Sequence, residues 1–190
     1  MALVLNADMQ YPVGHEGPVN VMAASYDSKW IATGSGDGTT IVWDAECGTI
    51  VHEAATPVGH TREISACTWS PDGTMIASAS KDNTVRVWDA LTFQQLGPGA
   101  PRHSDPIANV SFSPDGRSIL PASLDGLVKI WHTESGAETA TLRVHEDTDS
   151  MPASATVVCF SPDGKFVVTI VVSSSTVKLW RTDNALCVVE

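Results

Sequence analysis

Basic side chains are scarce in this chain: its 190 residues carry 11 Lys and Arg against 22 Asp and Glu, a formal charge of −11. Between Met1 and Thr61, Lys29 is the one basic residue, against seven acids. A nucleic-acid surface needs clustered Lys and Arg to displace counterions from phosphates, so no nucleic-acid partner is expected. Long apolar runs are missing too. No stretch approaches the ~18 apolar residues of a membrane span, and no membrane partner is expected. The start lacks the basic end and apolar stretch of a secretory signal. Cys47, Cys67, Cys159 and Cys187 show no CxxC spacing, which argues against metal sites and disulfides. Cys67 and Cys159 lie in apolar runs and read as small hydrophobes. Reduced thiols without a signal point to the cytoplasm, or to the nucleus. Net acidity favours a basic partner, although it also serves solubility.

What the chain does have is a period. Trp43, Trp88, Trp131 and Trp180 follow one another at intervals of 45, 43 and 49 residues. His15, His60, His103 and His145 keep nearly the same beat, at 45, 43 and 42. Self-similarity at roughly 40–45 residues is the mark of a propeller blade. In the second copy, Ile64 to Trp69 is short and apolar, and Ser70-Pro71-Asp72-Gly73 is a turn. Thr74 to Ser80 and Thr84 to Trp88 read as strands around a Lys81-Asp82-Asn83 hairpin, with Thr92 to Leu96 a weaker outer strand. The turn returns as Ser113-Pro114-Asp115-Gly116 and Ser161-Pro162-Asp163-Gly164, and in decayed form as Ser25-Tyr26-Asp27-Ser28.

Gly14-His15 and Gly59-His60 open copies, and Trp43-Asp44 and Trp88-Asp89 close third strands. With these residues the chain resembles the WD40-repeat family over nearly its whole length. The resemblance implies an all-β propeller of four-stranded antiparallel blades, one domain over 1–190 with blades near 15–56, 60–97, 103–143 and 145–190. It also implies a buried hydrogen-bonded set in each blade: His15, Thr33, Asp37 and Trp43, then His60, Ser78, Asp82 and Trp88. Such a set superficially resembles a hydrolase triad, but its repetition makes it structural. The third copy has Pro121 where Ser or Thr belongs, and proline suits an edge or bulge rather than an inner strand. His132 and Arg181 replace the Asp after tryptophan, and Ser174 replaces the hairpin Asp of the fourth copy. Stability is therefore expected to fall toward the C-terminus.

The count of strands leaves three architectures open. Residues 1–14 read as a leading outer strand, yet Ala185 to Val189 can supply the outer strand of the last blade. The chain is then a fragment of a larger propeller, half of a homodimer completed by a second copy, or a distorted closed four-blade ring.

Chemistry is sparse. Gly34-Ser35-Gly36-Asp37-Gly38 lacks the lysine and helix of a phosphate loop and reads as a hairpin turn. No paired carboxylates, activated serine, metal set or cofactor motif remains, so no enzyme and no cofactor is expected. His52 and His132 read as surface residues. Neither Trp-Asp pair has the nearby Arg through which some relatives recruit ubiquitin-ligase adaptors. Recognition falls to the face carrying the histidine loops and the second-to-third-strand hairpins: Glu16, Arg62, Glu63, Lys81, Asp105 and Leu124, with Asp147 and Asp149 on an acidic insertion. The expected function is a non-catalytic scaffold that holds a protein or peptide there, a basic one by charge. The alternatives are a small-molecule or glycan-binding module, and the sensor or repeat fragment of a larger regulatory protein.

Overall fold

The computed structural model describes residues 14–54, 59–97, 102–144, 155–171 and 176–189. They form sixteen strands in four antiparallel sheets, with no helix among the described residues. Blade 1 holds β1 (Val19–Ala24), β2 (Trp30–Ser35), β3 (Thr40–Asp44) and β4 (Ile50–Ala54). Blade 2 holds β5 (Ile64–Trp69), β6 (Met75–Ser80), β7 (Val85–Asp89) and β8 (Gln95–Leu96). Blade 3 holds β9 (Ile107–Phe112), β10 (Ser118–Ser123), β11 (Leu127–His132) and β12 (Glu138–Arg143). Blade 4 holds β13 (Ala155–Phe160), β14 (Phe166–Val171), β15 (Thr176–Arg181) and β16 (Cys187–Val189). In every sheet the strands lie in chain order. The leading strand expected before His15 falls outside the described residues, and blade 1 has its own outer strand, β4.

The turn between the first two strands is built identically four times. In blade 2, Ser70 Oγ donates to Asp72 at 2.6 Å and accepts the Met75 amide at 2.9 Å. Asp72 also accepts the Thr74 amide at 3.0 Å. Ser25 with Asp27, Ser113 with Asp115 and Ser161 with Asp163 repeat the motif. Gly73, Gly116 and Gly164 close it at φ of 73°, 70° and 70°, and Ser28 holds the same left-handed conformation at 60°. The decayed first copy thus keeps the turn while carrying the strain of a side chain at positive φ.

The turn after the tryptophan shows a substitution of one support for another. Asp44 accepts the amides of Glu46 and Cys47, and Asp89 those of Leu91 and Thr92. Blades 3 and 4 lack that acid. There, Thr133 donates its hydroxyl to the Gly116 and Arg117 carbonyls, and Thr182 to those of Gly164 and Lys165. The equivalent residues in blades 1 and 2 are Ala45 and Ala90, whose amides alone bridge to the neighbouring turn.

Successive blades stack through three apolar cores. Ala32 and Val42 of blade 1 share a cluster with Trp69 and Ile76 of blade 2. Ala77, Val85 and Val87 meet Ile107, Val110 and Ile119 of blade 3. Leu120, Val128 and Leu142 meet Val158, Val167 and Trp180 of blade 4. Among the described residues no such core joins blade 4 to blade 1.

Three expectations need correction. Pro121 sits inside β10, buried, rather than at an edge or bulge; the ladder toward β11 pairs Ile119 and Ala122 and skips the residues between, so the missing amide is tolerated. Cys159 is exposed because it lies on the side of β13 that no following blade covers. His132 is not a surface residue: its Nδ1 is buried and without a partner. The side chain of His52 lies outside the described residues.

Blades 1 and 2 approach closely at Gly34, where a Cβ would stand 2.8 Å from Ile64 Cβ and 2.9 Å from Val21 Cγ2. Gly34→Ala is expected to cost about 1–3 kcal/mol by overpacking, read as a lower urea midpoint, although alanine occupies the same register as Ala79 and Ala122 in the next two blades.

Candidate functional site

The loops that carry the histidines are held from beneath by a directional chain of hydrogen bonds. In blade 2, Trp88 Nε1 donates to Ser78 Oγ at 2.9 Å. His60 Nε2 lies 2.9 Å from the same hydroxyl, and His60 Nδ1 lies 3.0 Å from Asp82. An ionised Asp82 can only accept, so Nδ1 carries the proton and Nε2 accepts from Ser78. Every donor and acceptor is then used, which is what allows the set to be buried. Asp82 also takes the Thr61 amide at 3.0 Å, tying the loop to the hairpin. Burial would raise its carboxyl, but the bonds from His60, Thr84 and Thr61 hold it well below the ordinary carboxylate range.

Blade 1 differs in one link. Trp43 Nε1 donates to Thr33 at 2.7 Å, and His15 Nε2 lies 2.7 Å from that hydroxyl. His15 Nδ1 meets Thr39 at 2.7 Å and stands 3.5 Å from Asp37. Thr39 passes the bond on, donating to Asp37 at 2.6 Å. The sequence reading missed Thr39 and Thr84, and the signal for them was an Asp-x-Thr in both hairpins. Burial works to raise Asp37, but the hydroxyl and amide of Thr39 and the amides of Gly17 and Glu16 bring it down to about 2.

Blade 3 keeps the ends of the chain without its middle. His103 Nδ1 lies 2.9 Å from Asp125, yet His103 Nε2 and Trp131 Nε1 are buried with no partner. Their rings sit 5.6 Å apart around the place of the missing hydroxyl, at Pro121. Glu138 stands opposite Trp131 in the ladder, and the indole helps lower its carboxyl, but the two do not reach hydrogen-bond geometry. Burial pushes the His103 imidazole below its usual value against the opposing pull of Asp125, so it stays neutral. In blade 4, Trp180 Nε1 donates to Thr169 at 3.0 Å. His145 and Ser174 lie outside the described residues.

Above this frame the loop tips are exposed. Glu63 pairs with Lys81 at 2.5 Å and touches Asn20 of blade 1 at 3.4 Å. Lys81, ahead of a small burial penalty, holds the Glu63 carboxyl below its ordinary value. Arg62 reaches the Lys81 carbonyl at 3.5 Å, so these three expected contact residues form one cluster. Glu16, Asp105 and Leu124 stand on other loops; Asp105 and Leu124 flank the Ser123 hydroxyl, which donates to the Asp105 carbonyl at 2.9 Å. Asp147 and Asp149 lie outside the described residues. Blades are stitched along this face by Asn83, whose carbonyl accepts the His103 amide at 3.1 Å and whose side chain donates to Ser104 at 2.9 Å. That link depends on how blades dock, and nothing in the repeat marks it. No set of side chains suited to a metal ion occurs among the described residues.

The gap in blade 3 gives a reversal of the usual expectation for a proline substitution. Pro121→Ser restores an acceptor for Trp131 and a donor for His103, and is expected to raise stability by about 1–2 kcal/mol, whereas Ser78→Ala in blade 2 lowers it by a similar amount; urea midpoints measure both. For Asp37, the difference between about 2 and the ordinary 3.8 is worth about 2 kcal/mol at neutral pH. Its folded value is depressed, so this stability is complete above the unfolded value and is lost as pH falls toward 2. The gap in urea midpoint between the native chain and Asp37→Asn is accordingly expected to narrow as the pH is lowered through that window.

Comparison with known proteins agrees with this geometry. The family model described as "WD domain, G-beta repeat" matches residues 9–44, 52–89, 100–132 and 136–181. No protein of curated function matches the sequence. Among solved structures, the crystal structure of the computationally designed Ika4 protein is 27% identical, with a TM-score of 0.71 over 89% of this chain and 94% of that one. With four repeats matched, four sheets of the corresponding shape, and a Trp-to-hydroxyl bond beneath three of them, the chain belongs to the WD40-repeat family of β-propellers.

Proposed function

We propose that this chain is a non-catalytic scaffold whose loop face holds a basic peptide or a basic surface of a partner protein. WD40 domains generally mediate protein interactions and are generally non-catalytic, which supports the coarse reading. The observation that carries the finer one is the division between frame and tips. The loop bases are fixed by buried hydrogen bonds in every blade where the set is described, while the tips differ from blade to blade. Rigid loops with variable tips suit recognition, because little ordering entropy is lost on binding. Of the acids on this face, Glu63 is neutralised by Lys81, whereas Glu16 and Asp105 form no ion pair among the described residues. A formal charge of −11 adds a long-range field that speeds encounter with a basic partner. Four free cysteines suit a reducing compartment, the cytoplasm or the nucleus.

The test reverses charge at Glu16, Asp105, Asp147 and Asp149 together, each to Lys, and compares capture of lysine- and arginine-rich peptides. Loss of capture with unchanged circular dichroism is the expected result, and added salt is expected to weaken capture by the native chain. Undiminished capture by the charge-reversed variant rules the face out.

A further inference from the structure

We propose that two copies of this chain join head to tail, the free face of blade 1 on one copy docking against the free face of blade 4 on the other. The faces are defined by register. Val19 in β1, Ile64 in β5 and Ile107 in β9 each stand four residues after their blade's histidine. The two isoleucines are fully buried against the preceding blade, but Val19 is 56% exposed. Met22 occupies the position of Val110 and Val158, which are 5% and 4% exposed, yet it is 71% exposed itself. Ala24 is likewise exposed where Trp69 and Phe112 are buried. On the outer half of the same face Ile41 is buried, so the free surface is the part carried by β1.

Blade 4 leaves the opposite set bare. Val177 takes the third-strand register that Val85 and Val128 occupy, three residues before each tryptophan, and those two are fully buried against the following blade while Val177 is 52% exposed. Val157 is 43% exposed where Ala66 is 8% exposed, and Cys159 beside it is exposed. Within the chain the two sets always meet: Val85 shares a core with Val110, and Val128 with Val158. Val177 and Met22 are the next pair in that series, one at each end. The occupant that carries both halves of the junction is a second copy of the chain.

Such a heterologous contact either closes or runs on as a filament. Two copies bring eight blades together, at the upper end of the roughly 4–8 blades over which propellers close. Closure buries both apolar faces of each copy and continues a packing mode already present three times in the fold. Because the junction is apolar and both copies are acidic, added salt screens the repulsion and does not loosen the contact. This response is opposite to that of peptide capture on the loop face, so the two proposals fail separately.

Light scattering on the size-exclusion peak of the full chain is expected to give twice the 20.1 kDa chain mass, in low and in high salt. Met22→Glu and Val177→Lys are each expected to halve that mass, while Leu91→Glu, on an exposed turn of blade 2 away from both faces, leaves it unchanged. Mixing the first two variants is expected to restore the doubled mass, since the mixture keeps one native junction and sets opposite charges at the other. Cys159 gives an independent reading: it alkylates slowly in the native protein and rapidly in Met22→Glu, with exposed Cys47 as the internal standard. A native mass of one chain, a ladder of species above two, dissociation by Leu91→Glu, or equal Cys159 labelling in native and variant protein overturns the proposal.

Discussion

A propeller blade has two apolar faces and therefore needs two neighbours. The alternating strands put branched side chains on both sides of each sheet, and a face left in water loses the stabilisation of burial, ~25 cal/mol per Å². Blades 2 and 3 meet the requirement on both sides, and their inner strands carry the fully buried side chains Ile64, Ile76, Val85, Ile107, Leu120 and Val128. Among the described residues, blades 1 and 4 share an apolar core with a neighbour on one side only. The exposed Val19, Met22 and Val177 are apolar residues at registers that are apolar and buried in the interior blades, so their exposure reflects the lack of a described neighbour rather than a change of sequence pattern.

The second constraint is polar. Each blade must turn its chain back over the top of the sheet, and the indole, hydroxyl, imidazole and carboxylate do this without leaving a buried group unpaired. Blade 3 shows what the hydroxyl contributes, because its removal leaves a donor and an acceptor facing each other across a gap. Elsewhere the loss of one support is offset by another. Where the acid after tryptophan is absent, Thr133 and Thr182 anchor the turn from the other side. The expected decline of stability along the chain is thus opposed locally, and the weakness of blade 3 is concentrated at Pro121.

How much of this could be read from the sequence follows from the range of each interaction. The strands of blade 2, the four Ser-x-Asp turns and the registers of His60, Ser78, Asp82 and Trp88 rest on contacts inside one repeat, so fixed spacing reveals them. Thr39 and Thr84 were equally local and could have been found from their Asp-x-Thr spacing. The contacts of Asn20 and Asn83 cross between blades, and Cys159 is exposed only because of what does not pack on β13. No period within a repeat encodes those facts. The pairing of Glu63 with Lys81 belongs to the same class: composition counts the acid as available charge, while the structure removes it from the free total.

The free surfaces of this fold are its end faces and its outer strands, and the two differ in what they invite. An unpaired strand edge can template further strands, but β8 with two residues and β16 with three are too short to hold a foreign strand in register, while the longer β4 and β12 include charged residues, Glu53 in one and Glu138 and Arg143 in the other. The excess of acid further discourages random collision between copies. The end faces have no such protection, since their side chains are apolar, repeat the registers of interior junctions, and lie on strands of six residues. Association of this chain is accordingly directed from edges to faces, and a contact made there extends the blade series in the geometry the fold already uses.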